Sequence, residues 1–459
     1  MNWTAAALVA AMREAVPPGQ PKLGGADLAE LRRMTRQLVA TGDGQELRRF
    51  LAVADRGIAV PHHQLDTWLG GRTVLVTGGT GCIGAALMAR LTRYCPARLV
   101  SVSRGVTTDW PRLPDAEYVT ADITDPHALG AVFDQVRPEV VFHLAAQRDP
   151  GLAEHEVHRT VNTNVFGTRN VAEAAERSGV TDLVCASSGK AVRPYSGEVY
   201  TASKRTLEWL LAAAAAESPV RYSAVRFTHV MDNSIIYQRL MHGGESGVVR
   251  LHEADVAFYV QSARESAELL LCAGLASRAG ALRVLALTDL GWPVSLLGLA
   301  LGVFAETGCD AAVYFSGHDA GYERTAFPGL YDPLTAGQVS PLLSAFEAVD
   351  LEPGPCPMVD VCPVAPMVCP GADDLLGALA AASQPYTDPD EVRAALSDLS
   401  WCLFDGAMSV TPRHVLARAI KLTQPHLPSL SAEHRRMLDV ITRYAETREL
   451  TTSAAHSAG

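Results

Sequence analysis

The sequence predicts an α/β fold with a doubly wound parallel sheet, and two patterns lead to this prediction. From residue 73 onward, short β-branched runs alternate with amphipathic helical patterns, which is typical of parallel strands joined by helical crossovers. The first run leads straight into a glycine-rich turn and then a helical pattern, as at the start of many open α/β sheets. We predict strands at residues 73–76, 98–103, 117–120, 140–144, 183–187 and 222–226.

Length and composition describe a large, well-cored globular protein. The chain has 459 residues, of which 48% are hydrophobic and 19% are charged. Its net charge of −11 argues against nucleic-acid and anionic-membrane partners, because neither is attracted to a negative field. The first 16 residues lack the early basic residues of a secretory signal, and nine scattered cysteines suit reduced thiols. We therefore expect a cytoplasmic protein with no membrane partner.

Pattern changes along the chain predict five regions. Residues 1–70 are expected to form a helical N-terminal extension, and residues 71–350 the main domain. Within that domain, the less regular part from 228 to 350 is expected to form a smaller C-terminal substrate lobe over the carboxyl edge of the sheet. A linker over 351–372, a helical region over 373–450 and a disordered tail over 451–459 complete the prediction.

Three Cys-Pro pairs lie in the expected linker, beginning at Cys356, Cys362 and Cys369. Zinc sites usually pair their ligands at two to four residues and add histidine, and neither feature is present here. We therefore expect a proline-rich loop rather than a metal site.

The glycine-rich turn, VLVTGGTGCIG at residues 74–84, predicts a dinucleotide site. Gly78 permits the tight turn, Gly81 lets the backbone approach a pyrophosphate, and Gly84 allows close packing of helix on strand. The helix that follows presents its free N–H groups to the phosphates. The residues that we expect to bind cofactor here are Gly78, Thr80, Gly81, Cys82, Ile83 and Gly84.

The end of the second strand predicts which nicotinamide cofactor is preferred. An enzyme that uses NAD usually has Asp or Glu there to bind the ribose 2′-hydroxyl, whereas this chain has Ser103 and Arg104. This favours NADP, with NAD possible; the alternative is that Arg104 is a solvated surface residue. Loops after later strands, and one helix, supply the other expected cofactor contacts, which are Asp122, Ile123, Leu144, Ala145, Ala146 and Asn164.

Tyr200 and Lys204 stand four residues apart and share one face of a predicted helix. A neighbouring ammonium and the positive nicotinamide are expected to lower the tyrosine pKa, so that the phenolate takes a hydroxyl proton as hydride leaves. Ser188, which follows a predicted strand, is expected to hold the substrate oxygen. These three residues, with the glycine-rich turn, predict hydride-transfer chemistry.

In these motifs the sequence resembles the extended short-chain dehydrogenases/reductases, in the capsule- and flagellin-glycan branch of nucleotide-sugar 4,6-dehydratases and epimerases. The resemblance runs from about residue 71 to 349. It includes VFHLAA at 141–146, TNVFGT at 163–168, KAVRP at 190–194, ASKR at 202–205 and VRF at 225–227. The resemblance implies a Rossmann domain, a sugar-like and nucleotide-linked substrate, and a homodimer or higher homo-oligomer.

The resemblance also suggests residues that act on the substrate. Lys190 is expected to polarise the substrate or act as a base, and the alternative is a salt-bridged cation at the rim. Three further residues are expected to contact the substrate, namely Arg148, His229 and Asn233. His229 also has a plainer interpretation, as a hydrogen-bonded structural histidine.

Three departures from the family pattern bear on the reaction. Gly189 stands where the family has the aspartate that protonates the departing hydroxyl, and two extra residues precede Tyr200. Acids at Asp319 and Glu323 stand where the family grips the diphosphate with cations. We expect weak water elimination and a weaker diphosphate grip, unless a cation replaces the missing one; the candidates are Arg226, Arg239 and Arg250.

These observations leave three interpretations open. The first is a sugar-modifying enzyme that removes a hydride from a ring hydroxyl and returns it to the same molecule. The second is a simple dehydrogenase or ketoreductase on a substrate without a nucleotide, which the departures favour. The third is a scaffold that binds cofactor without catalysis, against which the intact Ser188, Tyr200 and Lys204 argue.

Overall fold

The structure is a computed structural model that describes residues 4–20, 22–105, 110–245, 247–319, 330, 340–364 and 369–457, with side chains to 447 in the last helix. The chain folds into two compact units. The first unit comprises Met1–Gly57, Thr228–Glu265 and Leu290–Ala326. The second unit comprises Ile58–Phe227, Ser266–Asp289 and Phe327–Gly459.

The α-helices of the described residues, in chain order, are α1 Ala5–Ala15, α2 Gly25–Thr41, α3 Gln45–Ala52, α4 His62–Leu69, α5 Cys82–Leu91, α6 Pro126–Val136, α7 Pro150–His155, α8 Val157–Val161, α9 Gly167–Ser178, α10 Val199–Glu217, α11 Ile235–Met241, α12 Ala263–Ala276, α13 Leu296–Thr307, α14 Ala372–Ala382, α15 Pro389–Val410, α16 Arg413–Thr423 and α17 Ala432–Ser457. The strands are β1 Thr73–Thr77, β2 Arg98–Ser103, β3 Glu117–Thr120, β4 Val140–His143, β5 Asp182–Ser188, β6 Arg221–Phe227, β7 His229–Val230, β8 Val248–Leu251, β9 Ala257–Phe258, β10 Val260–Gln261, β11 Leu282–Leu287, β12 Val294–Ser295, β13 Ala312–Phe315, β14 Glu352–Pro353 and β15 Val359–Val364.

The second unit is built on a large sheet, which in the described part of the chain has nine strands in the order β14-β15-β11-β6-β5-β4-β1-β2-β3. From β11 to β3 all neighbours are parallel. The chain runs outward from β1 to β3 and then returns through β4, β5 and β6 on the other side. This is the doubly wound topology, so the predicted fold class and all six predicted strands are confirmed.

Part of the segment 351–372, which we expected to be a linker, instead adds two strands, β14 and β15, to the sheet. Strand β15 pairs antiparallel with β11 over the whole of that strand, and β14 pairs with β15. Val359, Val361 and Cys362 are buried. Strand β14 pairs only with Asp360 and Val361, so Pro363 has no partner in β14. Its missing N–H therefore removes no hydrogen bond to β14. Proline content therefore gave a misleading signal.

The C-terminal helices pack into the second unit. Residues from α14 and α15 share a hydrophobic core with α8, α10 and the π-helical turn Asn162–Phe166. A further core joins α15, α16 and α17 around Phe404 and Leu416. Helix α17 continues through Ser457, so the expected disorder from residue 451 is not found over 451–457, and residues 458 and 459 lie outside the described residues.

The first unit contains most of the N-terminal segment that we expected as an extension. Helices α1, α2 and α3 share one hydrophobic core with α13 and with β8 and β13. The backbone N–H of Val313 in β13 donates to Thr35 Oγ1 in α2 at 3.0 Å. These helices therefore complete a core, because the later segments of the unit cannot bury their apolar faces alone. Residues 58–70, including α4, belong to the second unit.

None of the helices that the structure describes combines the length and the apolar character required to cross a bilayer.

Candidate functional site

The glycine-rich turn lies between β1 and α5 and fits a dinucleotide. Gly78 has φ +74°, and a Cβ there would lie 2.8 Å from the backbone nitrogen of Ala145. A Cβ at Gly84 would lie 2.1 Å from the carbonyl oxygen of Gly78, so the start of α5 packs directly on the turn. At Gly81 the nearest atom would be 3.3 Å away, which leaves the helix N-terminus approachable. Glycine is therefore required at positions 78 and 84, where a Cβ would clash with backbone atoms.

The loop after β4 is held against the same turn by Thr77. The backbone N–H groups of Leu144 and Ala145 donate to Thr77 Oγ1 at 3.2 and 3.3 Å. Thr77 Oγ1 also lies 2.7 Å from His143 Nδ1. The predicted cofactor residues Leu144 and Ala145 are therefore placed beside the glycine-rich turn, as their position after β4 requires.

His143 links this loop to the helix that follows. Its Nε2 lies 3.0 Å from Thr168 Oγ1, and the Thr168 hydroxyl donates to the carbonyl oxygen of Asn164 at 2.8 Å. Nε2 must then donate, and Nδ1 accepts from Thr77. Burial, with a smaller contribution from the Lys204 ammonium, lowers the pKa of His143 to about 3. His143 is therefore a neutral structural bridge rather than a proton carrier.

Asn164 extends the same network to helix α10. Its Oδ1 accepts from the backbone N–H of Gln147 at 2.8 Å, and its Nδ2 donates to Gln147 O and Ser203 Oγ, both at 3.1 Å. Ser203 Oγ in turn donates to the carbonyl oxygen of Tyr200 at 2.8 Å. Asn164 therefore joins the loop after β4 to helix α10.

The end of β2 lies next to the glycine-rich turn, since Gly78 N–H donates to the carbonyl oxygen of Val102 at 2.8 Å. Ser103 is half-buried and Arg104 is exposed just beyond it. After β3, Asp122 Oδ1 accepts from the backbone and hydroxyl of Thr124, both at 2.9 Å. Both segments follow the carboxyl ends of their strands, where ligands bind in open α/β sheets.

Ser188, Tyr200 and Lys204 are brought together at the end of β5. Lys204 Nζ donates to the carbonyl oxygen of Ala186 at 3.1 Å, and the Tyr200 side chain hydrogen-bonds that of Ser188. Tyr200 is 7% exposed and Lys204 is 2% exposed. The spacing of four residues on α10 therefore directs both side chains to one strand end, where a substrate hydroxyl would be bound.

Burial controls the protonation of this pair. It raises the pKa of Tyr200, and the Ser188 hydrogen bond lowers it by less. It also lowers the pKa of Lys204. The lowered tyrosine pKa that the sequence predicts is therefore not a property of the chain by itself, because the cost of burying a phenolate is the larger effect.

A buried ion cluster lies next to the end of β5, and no sequence motif predicted it. Glu208, one helical turn after Lys204, accepts from Ser187 Oγ at 2.6 Å and from Arg226 at 2.7 and 2.9 Å. Arg226 also donates to Glu347 at 2.7 and 2.8 Å, and its side chain is 0% exposed. The sequence did contain one indication of Glu208: it lies four residues after Lys204, so both side chains share a face of α10. Arg226 is fully engaged here, so the suggestion that it grips a diphosphate was wrong.

Lys190 follows Ser188 in a short helical turn, Gly189–Val192. Its Nζ lies 3.6 Å from Glu198 Oε2, and Arg193 lies 3.5 Å from the other oxygen of the same carboxylate. Thr201 Oγ1 donates to Glu198 Oε2 at 3.0 Å. The salt-bridged alternative for Lys190 is therefore what the structure shows, and the partner comes from the stretch that contains the two extra residues.

The residues expected to contact substrate fall in different units. Arg148 is exposed in the second unit, whereas His229 and Asn233 belong to the first. His229 Nε2 lies 2.7 Å from Ser234 Oγ, and its ring makes an edge contact with Phe258. Burial lowers the pKa of His229 to about 4, so it is neutral at physiological pH. This arrangement matches its plainer interpretation as a structural histidine.

The expected diphosphate segment is only partly described. The Asp319 side chain is 78% exposed and lies 3.9 Å from His252 Nδ1, while Glu323 lies outside the described residues. Arg250, another proposed replacement cation, lies over the ring of Tyr314 in the first unit. Within the described ranges, no group of three or more His, Cys, Asp or Glu side chains is arranged to hold a metal ion.

Comparison of the sequence with protein families matches residues 74–321, more than half of the chain, to the family "Polysaccharide biosynthesis protein". "Probable polysaccharide biosynthesis protein EpsC" of Bacillus subtilis is 29% identical over 251 residues, which cover 52% of this chain and 41% of that protein. "UDP-N-acetylglucosamine 4,6-dehydratase (inverting)" of Campylobacter jejuni is 28% identical over 169 residues, 35% of this chain and 49% of that protein. The chain thus spans less than half the length of these relatives.

Solved structures show the same fold. "Pen" from Bacillus thuringiensis superposes with a TM-score of 0.54 at 22% identity, covering 65% of this chain and 89% of that one. The "Epimerase Mth375" of Methanothermobacter thermautotrophicus gives a TM-score of 0.50 at 21% identity, covering 58% and 86%. Together with the family match and the geometry above, the chain therefore belongs to the polysaccharide biosynthesis protein family of extended short-chain dehydrogenases/reductases.

Proposed function

We propose that this protein oxidises a ring hydroxyl of a nucleotide-linked sugar and returns the hydride to the same molecule. The observation that carries the proposal is the convergence of Ser188, Tyr200 and Lys204 at the end of β5. The glycine-rich turn lies between β1 and α5, at the same edge of the sheet, and β4 separates β1 from β5. A proton acceptor and a cofactor cradle on one edge are the parts that such chemistry requires.

In this proposal the chain's own groups handle the proton and the orientation. Ser188 holds the substrate hydroxyl and Tyr200 takes its proton, while Lys204 makes the phenolate less unfavourable. Hydride acceptance is supplied by a bound nicotinamide cofactor. The buried position of Tyr200 and Lys204 excludes water from the proton transfer, which strengthens each electrostatic interaction.

The substrate class rests on the relatives and not on the structure of the site. The Campylobacter relative is by its name a UDP-N-acetylglucosamine 4,6-dehydratase, and the Bacillus relative is by its name a polysaccharide biosynthesis protein. We extend to this chain the class of nucleotide-linked sugars, and leave out the dehydration. Gly189 is the reason, because it has no side chain to protonate a departing hydroxyl.

We predict that incubation with NADP and UDP-N-acetylglucosamine gives no product lighter by one water. General acid catalysis is typically worth about 10²–10⁴-fold, and Gly189 cannot supply it. The measurement is liquid chromatography coupled to mass spectrometry of the sugar nucleotide, which also separates isomers of equal mass, with UDP-glucose and dTDP-glucose in parallel. An isomer of unchanged mass supports the proposal. Rapid loss of water would show that another group of the chain donates this proton.

A simple dehydrogenase or ketoreductase on a substrate without a nucleotide is the second candidate. The exposed carboxylate of Asp319, in place of a cation, favours it, because like charge repels a diphosphate. The two candidates differ in cofactor balance. Steady accumulation of reduced cofactor, followed by its absorbance, would favour the dehydrogenase, whereas internal return of the hydride leaves the absorbance constant.

We propose a preference for NADP over NAD, and expect Arg104→Ala to remove it. Arg104 is exposed just beyond β2, and a guanidinium can pair with a 2′-phosphate. A hydrogen bond to a charged group is worth about 1.5–3 kcal/mol, so the variant should lose roughly tenfold to a hundredfold of its affinity for NADP and little for NAD. Titration calorimetry measures both, with Arg93→Ala as the matched control on an exposed arginine of the same unit. Equal affinities in the unmodified protein would contradict the assignment.

A further inference from the structure

The stretch before Tyr200 is held by helices that lie outside the family match. Residues 193–199, which we call the catalytic loop, lie within the stretch between Lys190 and Tyr200 that is two residues longer than in the family pattern. The family match ends at residue 321. Two contacts to this loop come directly from residues 397 and 433, and a third comes through Glu154, which Arg393 holds. All of these residues belong to the second unit.

The first contact is at the start of the catalytic helix. The backbone N–H of Val199, the first residue of α10, donates to Glu154 Oε1 at 2.7 Å. Glu154 Oε2 forms an ion pair with Arg393 of α15, and Arg393 also donates to the carbonyl oxygen of Glu154 at 3.0 Å. The Glu154 side chain is only 9% exposed, so its charge depends on this arginine for compensation. Arg393 therefore fixes the carboxylate that anchors the residue next to Tyr200.

The second contact holds the middle of the catalytic loop. Tyr195 is buried, and its hydroxyl lies 2.9 Å from Ser397 Oγ, one turn along α15 from Arg393. The Tyr195 ring packs edge-on against Trp401, with ring centres 4.8 Å apart. Helix α15 therefore holds the Tyr195 hydroxyl by a hydrogen bond and the Tyr195 ring by an apolar contact.

The third contact comes from α17. The backbone N–H of Gly197 donates to Glu433 Oε2 at 3.3 Å. Within the loop, the backbone N–H of Glu198 donates to Ser196 Oγ at 3.1 Å. The loop is therefore held at Tyr195, Gly197 and Val199, three alternate positions that lead directly to Tyr200.

We propose that the C-terminal helices α15 and α17 position Tyr200 for proton transfer, with Arg393 and Tyr195 as the main positioning residues. The proposal rests on the proposed function, since it assigns Tyr200 the proton transfer. A misplacement of about 1 Å at a reacting group costs on the order of 10²-fold in rate. The longer loop of this chain gives Tyr200 more freedom, and the added helices remove that freedom.

The test compares Arg393→Ala and Arg393→Lys with Arg443→Ala. Arg443 is the matched control, because it pairs with Asp405 at 2.8 Å between the same two helices and is not among the loop contacts described above. Amide hydrogen exchange followed by mass spectrometry is expected to speed up severalfold over residues 195–204 in Arg393→Ala. Residues 74–91, which carry the glycine-rich turn, should exchange as before in all three variants.

The activity measurement separates positioning from general instability. With whichever of UDP-glucose, UDP-N-acetylglucosamine and dTDP-glucose the unmodified protein converts, kcat of Arg393→Ala should fall about 10²-fold. The Kd for NADP should stay unchanged, and Arg393→Lys should recover part of kcat. Tyr195→Phe, which keeps the ring and removes only the hydroxyl, should lower kcat less and provides a milder variant if Arg393→Ala does not fold.

Failure of this inference differs from failure of the proposed function. If the unmodified protein converts none of the three sugars, the proposed function fails, while hydrogen exchange still tests the positioning. Equal exchange over residues 195–204 in Arg393→Ala and Arg443→Ala would overturn the inference. So would a kcat of Arg393→Ala and Tyr195→Phe that equals that of the unmodified protein.

Discussion

Replacing Tyr200 with phenylalanine is expected to abolish turnover and to leave cofactor binding nearly intact. The change removes the only atom of this side chain that takes a proton, and the ring still fills its buried position. Loss of a general base typically costs about 10²–10⁴-fold in rate, and the proposed reaction assigns this proton to Tyr200. Turnover is measured by chromatographic separation of the sugar product followed by mass spectrometry, and the Kd for NADP by calorimetry.

Two further variants make the Tyr200 result specific. Lys204→Ala should damage both turnover and cofactor binding, because it removes a buried cation that donates to Ala186 O beside the site. Tyr386→Phe should change neither, since Tyr386 is fully exposed. Near-normal activity of Tyr200→Phe on the true substrate would show that the catalytic assignment is wrong.

Replacing Arg226 with methionine is expected to lower the free energy of unfolding by about 3–5 kcal/mol, because two buried carboxylates lose their fully buried partner. Arg226 makes two hydrogen bonds to each of Glu208 and Glu347. Arg205 also contacts both carboxylates, but it lies 3.4 and 2.9 Å from them with one nitrogen. Burial alone would raise the pKa of Glu347, and the adjacent guanidiniums outweigh it and hold that pKa well below its usual range. This contribution is therefore fully present at neutral pH and is lost as the pH falls from the unfolded towards the folded pKa.

Urea unfolding measures this effect, with Arg98→Ala as the control. Arg98 pairs with Glu117 at 2.9 Å in the same unit, but the two side chains are 37% and 51% exposed, and pairs in contact with solvent contribute only about 0–1 kcal/mol. Arg226→Lys should recover little, because an ammonium cannot reproduce the two bidentate contacts. If Arg226→Met and Arg98→Ala cost the same, the cluster does not have the proposed structural importance.

The sequence predicted well the features that depend on local backbone geometry. In the turn at 74–84, the positive φ of Gly78 is a local backbone property, and Gly84 is required by its close contact with Gly78, six positions earlier. Tyr200 and Lys204 share a face because an α-helix repeats every 3.6 residues. The alternation of strands and helices was sufficient to predict the doubly wound sheet.

Features that depend on distant partners were missed or mistaken. Lys190 pairs with Glu198 across the turn at 189–192 and the loop that follows it, and the spacing of a regular helix or strand does not predict that pair. Arg226 was considered as a ligand for phosphate, but Glu347, more than a hundred positions away, takes it up in the core. The segment around Val361 looked like a linker because its prolines conceal a strand that pairs with β11.

The sequence by itself therefore determined the fold class, the glycine-rich turn and the shared helix face of Tyr200 and Lys204, because local backbone geometry and regular spacing decide these features. Only the tertiary structure decided how those parts are supported. It placed α1 to α3 in a core with α13, added β15 to the sheet, and brought α15 and α17 to the loop before Tyr200. The physical reason is that a buried apolar face or a buried charge takes its partner from whichever segment packs against it, and sequence distance does not limit that choice.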